Sequence, residues 1–214
     1  MLPRRPLIAV DGPAASGKGT IARALAGHFG VGHLDTGKLY RVVGLMVRLA
    51  GGDPADPTAA VAAAERLDAA LLDDPDLMSA ANAASASIVS AHPGVRAALL
   101  ARQHAFAAAP AGAVLDGRDI GTVIAPDAPA KLFVTAAVEV RAVRRAAELT
   151  RAGRALPLDV VLADIRARDA RDSGRTTAPL TRAADAVLLD TSKLSIAEAV
   201  AQAIALVEAR LRSN

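Results

Sequence analysis

Apolar residues along this 214-residue chain fall into two rhythms. Five short apolar runs read as strands: Leu7–Val10, Val31–Asp35, Ala113–Leu115, Lys131–Thr135 and Ala186–Asp190. Between them the apolar positions recur every three or four residues, the spacing of helices. Ile21, Ala24, Leu25 and His28 mark the first helix, and a second follows Thr36–Arg41, a turn that opens it and that Gly51-Gly52-Asp53-Pro54 closes. Residues 55–109 are Ala-rich and helical in period, broken at Asp73-Asp74-Pro75 and His92-Pro93-Gly94, with no strand. Two arginine-rich helices are expected over Val138–Arg151 and Leu158–Asp172, separated by Gly153 and Pro157. Ser195-Ile196-Ala197-Glu198 is a capping box for a last helix whose apolar stripe is Ile196, Val200, Ile204, Val207 and Leu211. Strands alternating with helices predict an α/β fold, a parallel five-stranded sheet with helices on both faces. Only Met1–Pro6 and the last few residues read as loose.

In such sheets ligands bind beyond the carboxyl ends of the strands, where Asp11, Asp35, Asp116, Thr135 and Asp190 fall. The first strand runs into Asp11-Gly12-Pro13-Ala14-Ala15-Ser16-Gly17-Lys18-Gly19-Thr20 and then into a helix. Strand, glycine-rich turn and helix together make a phosphate-binding loop. Backbone N–H groups of the turn and the positive end of the helix face one concave spot, and Lys18 adds a point charge at the β- and γ-phosphates. The general loop has Ser or Thr after the lysine as a magnesium ligand. Here Gly19 holds that place and Thr20 follows, so magnesium is expected to be bound through water. A Gly-Lys-Gly-Thr ending resembles nucleoside monophosphate kinases rather than GTPases or motor ATPases.

Composition narrows the partners. Hydrophobic residues make up 52 % and aromatic residues 2 %, so Ala, Val, Leu and Ile must build the core and almost no stacking platform exists for single-stranded nucleic acid. No cysteine is present, which excludes disulfides and thiolate metal sites. The net charge of +3 is mildly basic and could serve nucleic acid or small phosphates. Arg4 and Arg5 precede only four apolar residues, too few for a secretory signal, and no run approaches the ~18 needed to span a bilayer. A cytoplasmic protein is expected.

Three further stretches carry chemistry. Asp116-Gly117-Arg118-Asp119-Ile120-Gly121-Thr122 follows a buried strand; its acid can hold a magnesium water shell and Arg118 can offer a planar fork to phosphate. The other reading is a turn with a surface ion pair. In Leu34–Arg41, Thr36 and Arg41 can converge on one anion, or Thr36 can be a helix N-cap beside a solvated arginine. Arg168, Arg171, Asp172 and Arg175 have spacings that place them near one helical face, either a ligand site or a solvated surface.

Taken together, Ile8–Thr20, Leu34–Arg41, Asp116–Pro129, Arg166–Pro179 and Asp190–Glu198 resemble bacterial cytidylate kinase, a P-loop nucleoside monophosphate kinase family, over nearly the whole chain. The resemblance implies phosphoryl transfer from ATP to CMP or dCMP with magnesium. It implies that Gly12, Pro13, Ala14, Ala15, Ser16, Gly17, Lys18, Gly19 and Thr20 bind ATP, with Lys18, Arg118 and Asp116 catalytic. Thr36, Arg41, Ser87, Arg96, Arg118, Asp119, Arg168, Asp172 and Arg175 would bind CMP. Thr20, Asp35 and Asp116 would hold the metal through water. One kinase domain is expected, with a core over 6–54, 111–140 and 177–214, a CMP-binding region over 55–110 and a lid over 141–176. Nucleotides are the expected partners, without nucleic acid or membrane, and the expected state is a monomer. The family usually has a strand-containing insert in the CMP-binding region; here Leu67–Asn82 is shorter and lacks that hairpin. Another small-molecule P-loop kinase of the adenylate or shikimate type, and a nucleotide-controlled switch, are the competing readings.

Overall fold

The computed structural model describes residues 6–213. The strands are β1 (Leu7–Asp11), β2 (Gly32–Asp35), β3 (Ala113–Gly117), β4 (Ala130–Thr135) and β5 (Val187–Asp190). They form one sheet in the order β2-β3-β1-β4-β5. β1 lies between β3 and β4, parallel to both, with Asp11 beside Gly117 and Phe133; β5 runs parallel to β4. β1 is buried on both faces, and Ile8, Ala9 and Val10 are fully covered, which explains why it reads as a continuous apolar run rather than an alternating one.

Eight α-helices complete the described chain: α1 (Lys18–Phe29), α2 (Thr36–Leu49), α3 (Pro57–Glu65), α4 (Ala80–Val89), α5 (Pro93–Ala107), α6 (Val138–Arg151), α7 (Leu158–Gly174) and α8 (Ile196–Ser213). The chain divides into two compact units, one reaching Leu34 and resuming at Ala107, the other Asp35–Phe106.

The first unit holds the sheet, α1 and α6–α8. Its core packs Ile21, Ala22, Leu25 and Ala26 of α1 and Ala199, Ala203 and Val207 of α8 with the sheet residues Val10, Val114, Leu132 and Leu189. Two stripes read from the sequence are rotated. In α1 the inner positions are Ala22 and Ala26 beside Ile21 and Leu25, while His28 is exposed and meets Glu208 at 3.0 Å. In α8 the deepest row is Ala199, Ala203 and Val207; Val200, Ile204 and Leu211 flank it, and Ile196 is 72 % exposed. Alanine permits the closest approach of a helix, so it takes the inner row although its hydropathy is modest. The capping box of α8 forms as expected: Ser195 Oγ accepts from the Glu198 N–H at 3.3 Å, and Glu198 Oε2 accepts from the Ser195 N–H at 2.8 Å. The expected loose termini lie mostly outside the described residues; Pro6 accepts a hydrogen bond from Ala113 N, and α8 continues to Ser213.

The second unit is helical, with no strand among the described residues, as expected for 55–109. Ala69–Asp73 and Pro75–Met78 form short 3-10 turns in the stretch where the strand-containing insert is missing. Its core gathers Leu39, Val42, Val43, Leu45, Leu77, Val89, Val95 and Leu99. Gly44 lets α2 and α4 touch: a Cβ there would lie 3.0 Å from Ala86 N and from Ser85 Cβ. Asp56 caps α3 by accepting from Thr58 N, and Ser79 caps α4 by accepting from Asn82 N. The expected turn over Thr36–Arg41 is helix from its first residue, and Asp35 rather than Thr36 holds the N-cap position.

Candidate active site

The phosphate loop joins β1 to α1. Gly12 sits against β4 so closely that a Cβ would overlap the Val134 carbonyl oxygen. Gly17 is the N-cap of α1 with φ 91°, a left-handed conformation that glycine adopts without strain. Its carbonyl accepts from Thr20 N and Ile21 N at 3.1 Å each, which starts the helix at Lys18. Ala15 is also left-handed, with φ 57°. The first-turn N–H groups of α1, with Lys18 at its first position, therefore present positive charge at one spot. The Ser16 hydroxyl is buried and has no hydrogen-bond partner among the described residues, leaving it to a ligand.

The loop is held from behind by residues with no motif to announce them. Arg141, at the start of α6, donates from Nη1 to the Ala14 carbonyl at 3.3 Å and from Nε to the Ala136 carbonyl at 2.9 Å. Its two terminal nitrogens also grip both oxygens of Asp169 on α7, at 3.1 and 2.7 Å. Thr191, just past β5, places its hydroxyl 2.9 Å from the Ser16 carbonyl. Arg144 donates to that hydroxyl at 2.9 Å and to the Thr191 carbonyl at 2.7 Å. A cavity of about 330 Å³ opens beside the loop. Ala15, Thr20, Arg144, Arg151, Ile196 and Val200 are among its walls, so it can take a flat, largely apolar group next to bound phosphates.

Asp11 closes β1 and is 4 % exposed. It accepts from Ile120 N at 2.8 Å and Gly121 N at 2.7 Å and so ties the end of β1 to the π-helical turn Ile120–Ile124. Burial pushes its carboxyl up from an ordinary 3.8 to about 6, against the pull of those two N–H donors. Asp116, the fourth residue of β3, is buried at that sheet edge, and His33 Nε2 meets its Oδ1 at 2.7 Å. A Cβ on Gly19 would point at Asp116 Oδ2 from 3.8 Å, so the acid faces the start of α1. Thr20, exposed, lies along the cavity.

Arg118 leaves the end of β3 and donates from Nε to Asp172 Oδ2 at 2.6 Å. Arg175 donates from Nε to the Asp172 carbonyl at 3.3 Å, and its Nη2 stands 3.9 Å from Asp172 Oδ1. Burial raises the Asp172 carboxyl, but Arg118, Arg168 and Arg175 outweigh it and hold the group below its ordinary value. Arg118, Arg168, Asp172 and Arg175 thus gather, with buried Asp119 beginning the adjacent turn. Arg171 is exposed, off that face, and Arg175 lies one residue beyond α7 with extended backbone. The Asp172 carboxylate is buried and the three arginines are partly buried around it, which argues against the surface-turn and solvated-face readings for these four.

In the second unit, Thr36 and Arg41 are both buried on α2. Five helical residues place them about 140° apart around the axis. Arg41 Nη1 donates to the Leu77 carbonyl at 3.1 Å, and Asn82 Nδ2 donates to the carbonyls of Arg41 and Leu77 at 3.0 Å each. Arg96 stacks over the Tyr40 ring at 5.7 Å and reaches the Ser90 carbonyl; Ser87 is buried on α4. Asp35 is partly buried ahead of α2. Sequence reasoning missed His33, Arg141, Arg144, Asp169 and Thr191. Only the basic period of α6 hinted at two of them.

The family model described as cytidylate kinase matches residues 8–209. A cytidylate kinase of Xanthobacter autotrophicus is 62 % identical over 95 % of this chain and 98 % of its own length. One from Azorhizobium caulinodans is 57 % identical, covering 94 % of this chain and 98 % of its own. A solved gluconokinase from Sinorhizobium meliloti superimposes with a TM-score of 0.53 at 18 % identity over 99 % of this chain and 96 % of its own, a likeness of fold alone. With a phosphate loop at β1, five strands in this order and identity of this extent, the chain belongs to the cytidylate kinase family.

Proposed function

We propose that the protein transfers the γ-phosphoryl group of ATP to CMP or dCMP, giving ADP and CDP or dCDP. The observation that carries the reading is the partly buried cluster of Arg118, Arg168 and Arg175 around the buried Asp172, in the same unit as the phosphate loop. Two anionic substrates need two desolvated cationic sites, and three arginines around one carboxylate leave a surplus of positive charge for a second phosphate.

ATP is bound by Gly12–Thr20, with its base in the cavity beside Arg144 and Ile196. Lys18 and Arg118 stabilise charge on the moving phosphoryl group. Arg41 and Arg118 take the CMP phosphate, and Thr36 assists. Ser87, Arg96, Asp119 and Arg175 read the cytosine, while Arg168 and Asp172 take the sugar. The chemistry suits magnesium: Asp116 is a buried acid facing the start of α1, beside Gly19, which puts no side chain in front of it. Among the described residues no group of three His, Cys, Asp or Glu can hold a metal alone. Asp116, Thr20 and Asp35 would hold such an ion through water. When bound, it neutralises charge on the β- and γ-phosphates. Closure of α6 and α7 excludes water, and the protein acts as a monomer in the cytoplasm; no described helix is long and apolar enough to cross a membrane.

Steady-state assay with ATP and a panel of CMP, dCMP, UMP, AMP and shikimate tests this. CMP and dCMP are the best acceptors and AMP a poor one, because buried groups matched to one base edge are left unpaired by another. Equal efficiency with AMP refutes the reading, and slow acceptor-independent turnover would favour a switch.

A further inference from the structure

Two carbonyls of the phosphate loop, Ala14 and Ser16, are held by side chains outside it. In a trans peptide the C=O and the following N–H point in opposite directions. Aiming the Ala14 carbonyl at Arg141 therefore turns the Ala15 N–H away from α6. Aiming the Ser16 carbonyl at Thr191 does the same for the Gly17 N–H. Ala15 is left-handed, a conformation that a non-glycine residue keeps only where its surroundings hold it. The amides that receive phosphate are thus set in advance by α6 and the end of β5.

Arg141 does more than hold a carbonyl. Its side chain is 7 % exposed, and its planar fork closes on both oxygens of Asp169. Asp169 lies on α7 directly after Arg168 and three residues before Asp172. One guanidinium therefore bonds both the loop that binds donor phosphates and the helix that carries the acceptor cluster. Thr191 grips the loop as well and is itself held by Arg144, but among the described residues neither has a contact of this kind on α7.

We propose that Arg141 is a positioning residue that couples the two substrates: through its bidentate pair with Asp169 it makes the seating of α7 and the arrangement of the Ala14–Ala15 peptide one event. Binding of acceptor at Arg168 and Asp172 then preorganises the loop for the donor, and by linkage the donor favours the acceptor equally. This rests on the reading of α7 as the acceptor helix. Lysine at 141 keeps the charge but cannot hold Asp169 with a fork.

Calorimetric titration of a non-hydrolysable ATP analogue, with and without saturating CMP, measures the coupling as a ratio of dissociation constants. The wild-type ratio is expected to be at least about fivefold, the lower end of ordinary coupling. Asp169→Asn and Arg141→Lys each bring it to about twofold or less. Asp169→Asn leaves the affinity for CMP alone nearly unchanged, and thermal melts confirm that both variants are folded. A ratio that persists in both variants, or a ratio of one in a wild-type protein that binds both nucleotides, overturns the coupling while leaving the kinase reading intact. A wild-type protein that binds the analogue but no CMP removes the acceptor reading, and the coupling with it.

Discussion

The pH dependence of folding isolates Asp11. Its carboxyl is buried and its pKa rises from 3.8 to about 6. The folded chain therefore binds this proton more tightly than the unfolded chain does. The stabilisation from that proton is fully present below about pH 3.8 and is lost as the pH rises through about 6. A rise of some two units corresponds to about 3 kcal/mol. Asp172 contributes with the opposite sign and at lower pH, its share being lost as the pH falls below about 3.8, so the wild-type profile alone is not diagnostic. The difference between wild type and Asp11→Asn is. Asparagine keeps one acceptor oxygen but turns an N–H donor toward the second backbone N–H, which costs about 1–3 kcal/mol at any pH. It cannot titrate, so the wild type's advantage over it shrinks by about 2.4 kcal/mol between pH 4 and pH 7. At pH 7 the two chains then lie within about 2 kcal/mol of each other. Urea unfolding of both proteins at pH 4, 5, 6 and 7, read by far-UV circular dichroism, gives the difference directly. A difference that stays flat across these values refutes the account, because it means the carboxyl titrates normally despite its burial.

Lys18→Ala is expected to lower turnover roughly 10²-fold or more while leaving the melting curve close to wild type, since the lysine contributes charge rather than packing; wild-type-like turnover removes the loop's assignment. Arg168→Leu and Arg175→Leu are each expected to weaken CMP use at least about tenfold with ATP binding much less affected, from a loss of ~1.5–3 kcal/mol per charged hydrogen bond. CMP titration at saturating ATP reads this, and unchanged dependence in both variants sinks it. Gly12→Ala is expected to yield little folded protein, because the added Cβ overlaps backbone rather than a flexible side chain; a wild-type melting temperature in purified Gly12→Ala contradicts the geometry.

What the sequence made legible follows the physics of each part. The phosphate loop is written in backbone terms: glycines where φ is positive or where β4 presses close, and a lysine at the first helical position. Such demands leave few choices of residue, so the chain states them locally. β1, β3 and β4 were readable because strands covered on both faces need unbroken apolar runs, whereas the edge strands β2 and β5 are only partly covered. Helix phase was not, because alanine crowds every side of α1 and α8 and a hydropathy stripe cannot select the row that approaches most closely. The supports behind the loop were hidden for another reason. Thr191 reaches Ser16 across 175 positions of sequence, Arg141 reaches Ala14 across 127, and His33 reaches Asp116 across 83. A threonine after a strand and an arginine on a basic helix are ordinary alone; only the order β3-β1-β4-β5 brings them to the same edge. Asp11 shows both halves at once. Its place at the end of β1 was legible, yet its role as the acceptor for Ile120 and Gly121 depends on β3 pairing beside β1, which no local pattern encodes. Groups that touch phosphate thus announce themselves through backbone constraint, whereas groups that hold those in place emerge only from topology.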